Sequence, residues 1–181
     1  AMVREVTAKA VAVGEGGDDA SIGTRVLLDP WWLPPDPTDL AAARVFGSEV
    51  DGGFAQYAVC PAENALPINS DLTDAELASF PIATVTAENL LTRADVGAGD
   101  VVVVLGASGG VGSAAIQLAV DRGAVVVGVA SAAKHEAVLA LGAHQVVDRG
   151  SDSVAEDVRS AVPGGRVDVL VDVVGLSLIH I

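Results

Sequence analysis

The chain has 181 residues, enough for one domain or two small ones, and 51% of them are apolar, chiefly Ala and Val; that excludes a disordered chain and suits an α/β fold. A formal net charge of −14 argues against nucleic acid or an anionic membrane surface as partner. The single cysteine, Cys60, excludes a disulfide within the chain and a multi-cysteine zinc site, and no apolar run reaches the roughly 18 residues of a membrane span. With no signal-peptide pattern at residue 1, a cytoplasmic location is expected.

Residues 6–14 read as a strand ending in the turn Gly14-Glu15-Gly16-Gly17, and residues 22–28 as a second strand, opened by Gly23 and followed by Asp29-Pro30. Residues 31–39 read as a loop, because Pro34, Pro35 and Pro37 forbid regular structure. Trp31 and Trp32 either line a substrate cleft or, the preferred reading, pack locally or on a partner subunit. Asp51-Gly52-Gly53 is a turn, and residues 54–60 alternate like a strand, with Cys60 at its end as a core residue rather than a nucleophile. The first part of the chain, to about Ser79, is therefore mostly β with long loops.

Composition shifts after Asn69. Thr73-Asp74-Ala75-Glu76 has the form of a helix start, Thr73 as cap and Glu76 as its capping-box partner. A further helix is expected over 84–94, then a turn at 96–100. Strands follow at 124–130, 145–147 and 167–174. Helices are expected at 132–141, closed by Gly142, and at 151–162, stopped by Pro163-Gly164-Gly165. Strands alternating with helices of this length predict a doubly wound parallel sheet. Only four of its strands are visible, against six in a full dinucleotide fold.

Residues 101–112, VVVVLGASGGVG, organise this half. Five apolar β-formers suit a parallel strand buried on both faces. They run into a turn rich in glycine, and residues 113–122 then read as a helix with Val111, Ala114, Ala115, Leu118 and Ala119 on one apolar face. Such a unit aims free backbone N–H groups and the positive end of a helix dipole at one spot, where a pyrophosphate fits. The fingerprint Gly-x-Gly-x-x-Gly is matched by Ala107, Ser108, Gly109, Gly110, Val111 and Gly112, with Ala in place of the first Gly.

NAD enzymes of this type place an acidic residue about 20 positions beyond the fingerprint, on the ribose 2′-OH. Here Ser131 stands nineteen residues past Gly112, in Ala130-Ser131-Ala132-Ala133-Lys134, with no carboxylate. A hydroxyl and an ammonium suit the 2′-phosphate of NADP. The bland reading is that Ser131 caps the next helix and Lys134 is solvated; both can hold together, and NADP(H) is preferred to NAD(H).

The order and spacing of AVAVGEGG, IGTRVLLDP, GGFAQYAVCPAENALPI, TAENLL, VVVVLGASGGVGSAAIQLA and DVLVDVVG resemble the medium-chain dehydrogenase/reductase superfamily, in particular its zinc-independent, quinone-reductase-like enzymes. The resemblance implies an incomplete GroES-like β-barrel domain over 1–79, lacking its N-terminus. It implies an incomplete Rossmann NADP-binding domain over 80–175, lacking its C-terminus, and a homodimer for the full-length parent. The last six residues, LSLIHI, do not read as the next turn and helix; they resemble a translated sequencing adapter, and 176–181 are expected to be non-native.

Members with catalytic zinc carry Gly-His-Glu where this chain has Val3-Arg4-Glu5, and a Cys where it has Ile82 and Ala83. Neither Arg nor an aliphatic side chain ligates zinc, so no metal is expected. NADPH-using members have a similar small residue and Lys at Ser131 and Lys134. The resemblance also places Thr86 and Tyr57 near the nicotinamide cleft, with Thr86 alternatively a local helix cap. Val173 and Gly175, at the carboxyl edge of the sheet, fall where the nicotinamide ribose passes, unless Gly175 is a plain turn. Asp148 lies near the adenine or caps a helix.

The expected activity is hydride transfer from NADPH to a quinone or an activated C=C, an enone or enoyl substrate. An alcohol dehydrogenase-like reaction is the alternative within the family, and a non-catalytic dinucleotide-binding fragment the alternative outside it. Gly106-Ala107-Ser108-Gly109-Gly110 also fits the hydrolase elbow Gly-x-Ser-x-Gly, but His135 and His144 follow too soon to complete a triad and read as surface or packing residues.

Overall fold

The computed structural model describes residues 6–14, 22–34, 36 and 38–175. The Val3-Arg4-Glu5 register, most of the turn expected at 14–17, Pro35 and Pro37, and the tail 176–181 lie outside the described residues. The chain divides into two compact units, Ala1–Ile82 and Ala83–Ile181.

The first unit is built from short antiparallel strands. β1 (Thr7–Lys9), β2 (Arg25–Leu28) and β5 (Ala65–Pro67) form a sheet in the order β1-β2-β5, and β3 (Trp31–Trp32) pairs with β4 (Arg44–Val45). The strand expected over 6–14 is thus three residues long, and the second begins at Arg25 rather than Ile22. Trp31 and Trp32, expected in a loop, are a strand, because Arg44 and Val45 supply the ladder. The Trp32 ring packs on the buried Phe46, 6.0 Å between centroids. Local packing is therefore the reading that holds for Trp32.

Charge and amide chemistry tie this unit together. The Arg25 guanidinium donates to Asp74 Oδ1 at 2.8 Å and to the carbonyls of Ser70 and Leu72 at 2.9 and 2.6 Å. Buried Asn64 donates its side-chain amide to the carbonyls of Asp29 and Trp31. α1 (Asp74–Ala78) carries the expected capping box: Thr73 Oγ1 accepts from the Glu76 amide, and the Glu76 carboxylate accepts from the Thr73 amide at 2.8 Å. The strand expected over 54–60 is absent. Phe54, Tyr57 and Val59 are 72, 73 and 88% exposed, and no neighbouring strand among the described residues offers them a ladder.

The second unit is a four-stranded parallel sheet in the order β8-β7-β6-β9, formed by β6 (Val101–Leu105), β7 (Val125–Ala130), β8 (Gln145–Asp148) and β9 (Val169–Asp172). Every residue of β6 is buried, as a parallel strand covered on both faces requires. Val102 and Val104 join Val126 on one face, with Ala87 and Leu91 of α2 (Ala83–Arg93) and Ala114, Ala115, Ile116 and Ala119 of α3 (Gly110–Asp121). Val101, Val103 and Leu105 join Val127 and Val129 on the other, under Val158 of α5 (Val154–Ala161). Val138 of α4 (His135–Ala140) closes the first face; a Cβ on Gly128 would stand 2.7 Å from its Cγ1, so only glycine fits there.

Several boundaries differ from the sequence reading, among them β9, which spans 169–172 rather than 167–174. α3 begins at Gly110 rather than Ser113, because Gly109 takes the extended N-cap backbone and the Ser113 amide closes the first turn on its carbonyl at 2.8 Å. Residues 132–134 form a 3-10 turn before α4. α5 starts at Val154, with Ser153 at the N-cap position.

Candidate functional site

β6 delivers the chain to Gly106, whose backbone turns left-handed at φ +70°. The Gly109 amide donates back to the Gly106 carbonyl at 2.9 Å, and α3 starts one residue later. The amides of Gly110, Val111 and Gly112 form the first turn of α3. They have no acceptor in the hydrogen bonds among the described residues, as the start of a helix dictates. No side chain caps them. A Cβ on Gly112 would collide with the Gly106 carbonyl oxygen, and one on Gly110 would lie 3.3 Å from the Ala83 methyl. The turn thus keeps unbonded donors beside a glycine backbone, which is the chemistry an anionic diphosphate requires.

Ala107, where the fingerprint has its first Gly, is fully buried, and its amide donates to Val129. Its methyl belongs to the core under the sheet rather than to the concave side of the turn. Gly106 supplies the left-handed residue instead, which explains why Ala is tolerated at 107. Ser108 and Gly109 are exposed on the turn, Val111 is half-buried, and Gly112 is buried.

At the carboxyl ends of the neighbouring strands the outcome is mixed. Ser131 stands at the N-cap position of the 3-10 turn that precedes α4, yet its hydroxyl makes no capping bond, so the cap reading fails for its side chain. The Lys134 amide donates to the Ser131 carbonyl at 2.8 Å, which brings the two residues together; the Lys134 ammonium is exposed and makes no ion pair among the described residues. Asp148 does not cap α5. Its carboxylate accepts from the Gly150 amide at 3.0 Å and shapes the loop after β8.

Val173 and Gly175 follow β9, and Gly175 turns left-handed at φ +80°. Sequence reasoning missed two residues here. The Asp172 carboxylate accepts from both the Val174 and Gly175 amides, at 2.9 and 2.8 Å. A Cβ on Gly106 would stand 2.6 Å from Val174 Cγ2 and 3.0 Å from Val173 Cγ2. The spacing Asp-x-x-Gly at a strand end is the signal that could have found the turn.

Thr86 is exposed in the second turn of α2 and makes no side-chain hydrogen bond among the described residues, so it is not a local cap. Tyr57 lies in the first unit, where it lines a concavity of about 870 Å³ with Trp32, Phe46, Phe54, Val59 and Cys60. Cys60 is half-buried, and burial, reinforced by the charge of Glu63, pushes its thiol up from the ordinary value. A thiol so held stays protonated at neutral pH and is a poor nucleophile.

Ser108 has no histidine partner among the described residues, so the hydrolase triad is not assembled. His144 Nδ1 accepts from the Val126 amide at 3.1 Å, and His135 Nε2 faces the Ala130 carbonyl at 3.3 Å. His135 is half-buried and His144 exposed, so neither is placed as a catalytic base for Ser108.

A parallel sheet covered on both faces, with a glycine turn and a helix N-terminus at its carboxyl edge, defines the dinucleotide-fold class of α/β proteins. Residues 110–179 match the family described as zinc-binding dehydrogenase. The chain is 32% identical over 175 residues to a 2-haloacrylate reductase from Burkholderia sp., covering 94% of this chain and 47% of that protein. It is 39% identical over 158 residues to alcohol dehydrogenase 2 of Emericella nidulans, covering 80% of this chain and 42% of that protein. A solved structure from Sinorhizobium meliloti 1021, labelled an alcohol dehydrogenase, superposes with a TM-score of 0.87 at 49% identity, over 94% of this chain and 47% of that one. The chain belongs to the medium-chain dehydrogenase/reductase superfamily, with the α/β fold of a GroES-like domain followed by a Rossmann sheet. It spans about half the length of the relatives it matches.

The family description raises zinc. Among the described residues no group of three or more His, Cys, Asp or Glu could hold a metal ion, and Ile82 and Ala83 offer no donor atom. The described residues therefore offer no three-ligand set for zinc. Among the described residues no helix is long and apolar enough to cross a membrane.

Proposed function

We propose that this chain is part of an NADPH-dependent oxidoreductase that reduces a quinone or an activated C=C without zinc. The observation that carries the reading is the set of unbonded amides at Gly110, Val111 and Gly112, facing a turn in which any Cβ on residue 112 would collide with backbone. Those donors and the α3 dipole take the pyrophosphate, with Ser108, Gly109 and the buried Ala107 shaping the loop. The Ser131 hydroxyl and Lys134 ammonium, on residues whose backbones share one hydrogen bond, take the 2′-phosphate. Asp148 stands at the same sheet edge, on the adenine side. Val173 and Gly175 line the nicotinamide side.

When bound, NADPH supplies the hydride. The chain's contribution is to orient it and exclude water. Thr86 keeps a free hydroxyl among the described residues and serves as a hydrogen-bond donor to a substrate oxygen on which negative charge develops. The family resemblance gives Tyr57 a substrate-side role within the first unit. The similarity to a 2-haloacrylate reductase, and to a trans-enoyl reductase of Aspergillus terreus at 36% identity, supports C=C reduction. The similarity to alcohol dehydrogenase 2 favours the second reading, oxidation of an alcohol or reduction of an aldehyde. A homodimer of the full-length parent is part of the proposal.

The test has two stages. The 181-residue chain is titrated with NADPH and NADH by fluorescence. The full-length parent is then assayed for NADPH oxidation against quinones, enones and aldehydes. Consumption with quinones or enones supports the proposal; turnover confined to aldehydes favours the second reading; absence of nucleotide binding overturns both.

A further inference from the structure

The turn after β9 lies against the turn after β6, and one carboxylate holds it there. Register pairs Leu105 with Asp172, so the last residues of the two strands stand side by side. Beyond them the chains diverge, β6 into Gly106 and β9 into Val173 and Val174. The branched side chains of both valines press on the Gly106 backbone so closely that a Cβ there would stand 2.6 Å from Val174 and 3.0 Å from Val173. Nothing in the ladder holds residues 173–175 in that place, because β9 ends at Asp172. What holds them is Asp172 Oδ1, which accepts from the amides of Val174 and Gly175 at 2.9 and 2.8 Å. Gly175 completes the curl in the left-handed region.

We propose that Asp172 is a positioning residue for the cofactor: it sets the Val173–Val174 wall against the glycine turn and so fixes the nicotinamide half of the dinucleotide. This rests on the dinucleotide reading above. In a dinucleotide fold the adenine half lies over the strand that follows the glycine turn, here β7, and the nicotinamide half passes the strand on the other side, here β9. Losing two charge-assisted hydrogen bonds to a turn at the end of a strand frees that turn without opening the core, because Asp172 is exposed and its neighbours on β9 keep their ladder to β6. The consequence falls on one half of the ligand.

Two probes separate the halves: NADPH, which spans both, and 2′,5′-ADP, which carries only the adenosine, its 2′-phosphate and the first phosphate. Asp172→Ala is expected to weaken NADPH about tenfold, and to leave 2′,5′-ADP within about twofold of the unsubstituted chain. Asp172→Asn, whose amide oxygen can accept the same two N–H groups, is expected to restore NADPH to within about twofold. Equal weakening of both probes, or no change in either, overturns the proposal, since a merely structural carboxylate would affect the two alike. A chain without substitution that binds neither probe overturns the dinucleotide reading itself, a result the Asp172 variants cannot produce.

Discussion

Gly112 and Gly106 meet across the glycine turn so closely that a methyl group on residue 112 would overlap the Gly106 carbonyl oxygen. That carbonyl is already held by the Gly109 amide at 2.9 Å, so it cannot swing away without opening the turn. The start of α3 and the end of β6 are therefore locked by the absence of a side chain. Gly112→Ala must push the helix from the strand. The expected cost is about 1–3 kcal/mol in chemical denaturation, with NADPH binding weakened more than tenfold in a fluorescence titration. Unchanged stability and affinity would show that the turn has room the geometry denies it.

In the proposed reading, the Ser131–Lys134 pair carries the choice of cofactor. Lys134→Ala is expected to weaken NADPH roughly tenfold and to leave NADH nearly unchanged, since the proposal pairs the ammonium with the 2′-phosphate alone. Parallel titrations with the two nucleotides read the ratio directly. A chain that binds NADH more tightly than NADPH before any substitution would reverse the assignment.

Cys60 tests the first unit. Burial, and then the nearby Glu63 carboxylate, raise its thiol above the ordinary value, so the thiolate is scarcer than in a free cysteine at the same pH. Alkylation by iodoacetamide should be slower than for a cysteine peptide near neutral pH, with its rate midpoint displaced to higher pH. In urea both differences should vanish. Glu63→Gln should remove the smaller, coulombic part and lower the midpoint without bringing it to the free value.

The capping box of α1 gives a pH dependence of known sign. The Thr73 hydroxyl and then the Thr73 amide hold the Glu76 carboxyl below the ordinary carboxylate range. A lowered folded value means that the contribution is complete above the unfolded value and is lost as pH falls through the folded one. Thr73→Ala is expected to cost roughly 1 kcal/mol at neutral pH. The gap between the unsubstituted chain and Glu76→Gln, followed by denaturation at falling pH, should close in acid. A gap that stays constant to low pH would mean that the carboxylate contributes nothing specific.

The elements that were legible in the chain are those whose cause is local. The run Val101–Leu105 has five apolar β-formers in a row, a pattern with few homes other than a strand buried on both faces. The placement of Gly109, Gly110 and Gly112 marks the turn because a Cβ is crowded at the first two and excluded at Gly112. Thr73 and Glu76, three apart, satisfy each other whatever surrounds them. The elements that were misread depend on a partner distant in sequence. Residues 54–60 alternate like a strand, but alternation records only which side chains can face a core, and no strand among the described residues offers them a ladder. Trp31 and Trp32 stand among prolines yet become a strand because Arg44 and Val45 come alongside. Along the chain Asp172 shows only its turn spacing to Gly175; that the turn sets two valines against Gly106, sixty-six residues earlier, is not visible there. Sequence alone determined β6, the glycine turn after it and the capping box of α1, because those rest on sterics and hydrogen bonds within a few residues. Tertiary structure decided which strands pair and which carboxylate shapes the far wall, because pairing and close packing arise only when separate stretches of chain meet.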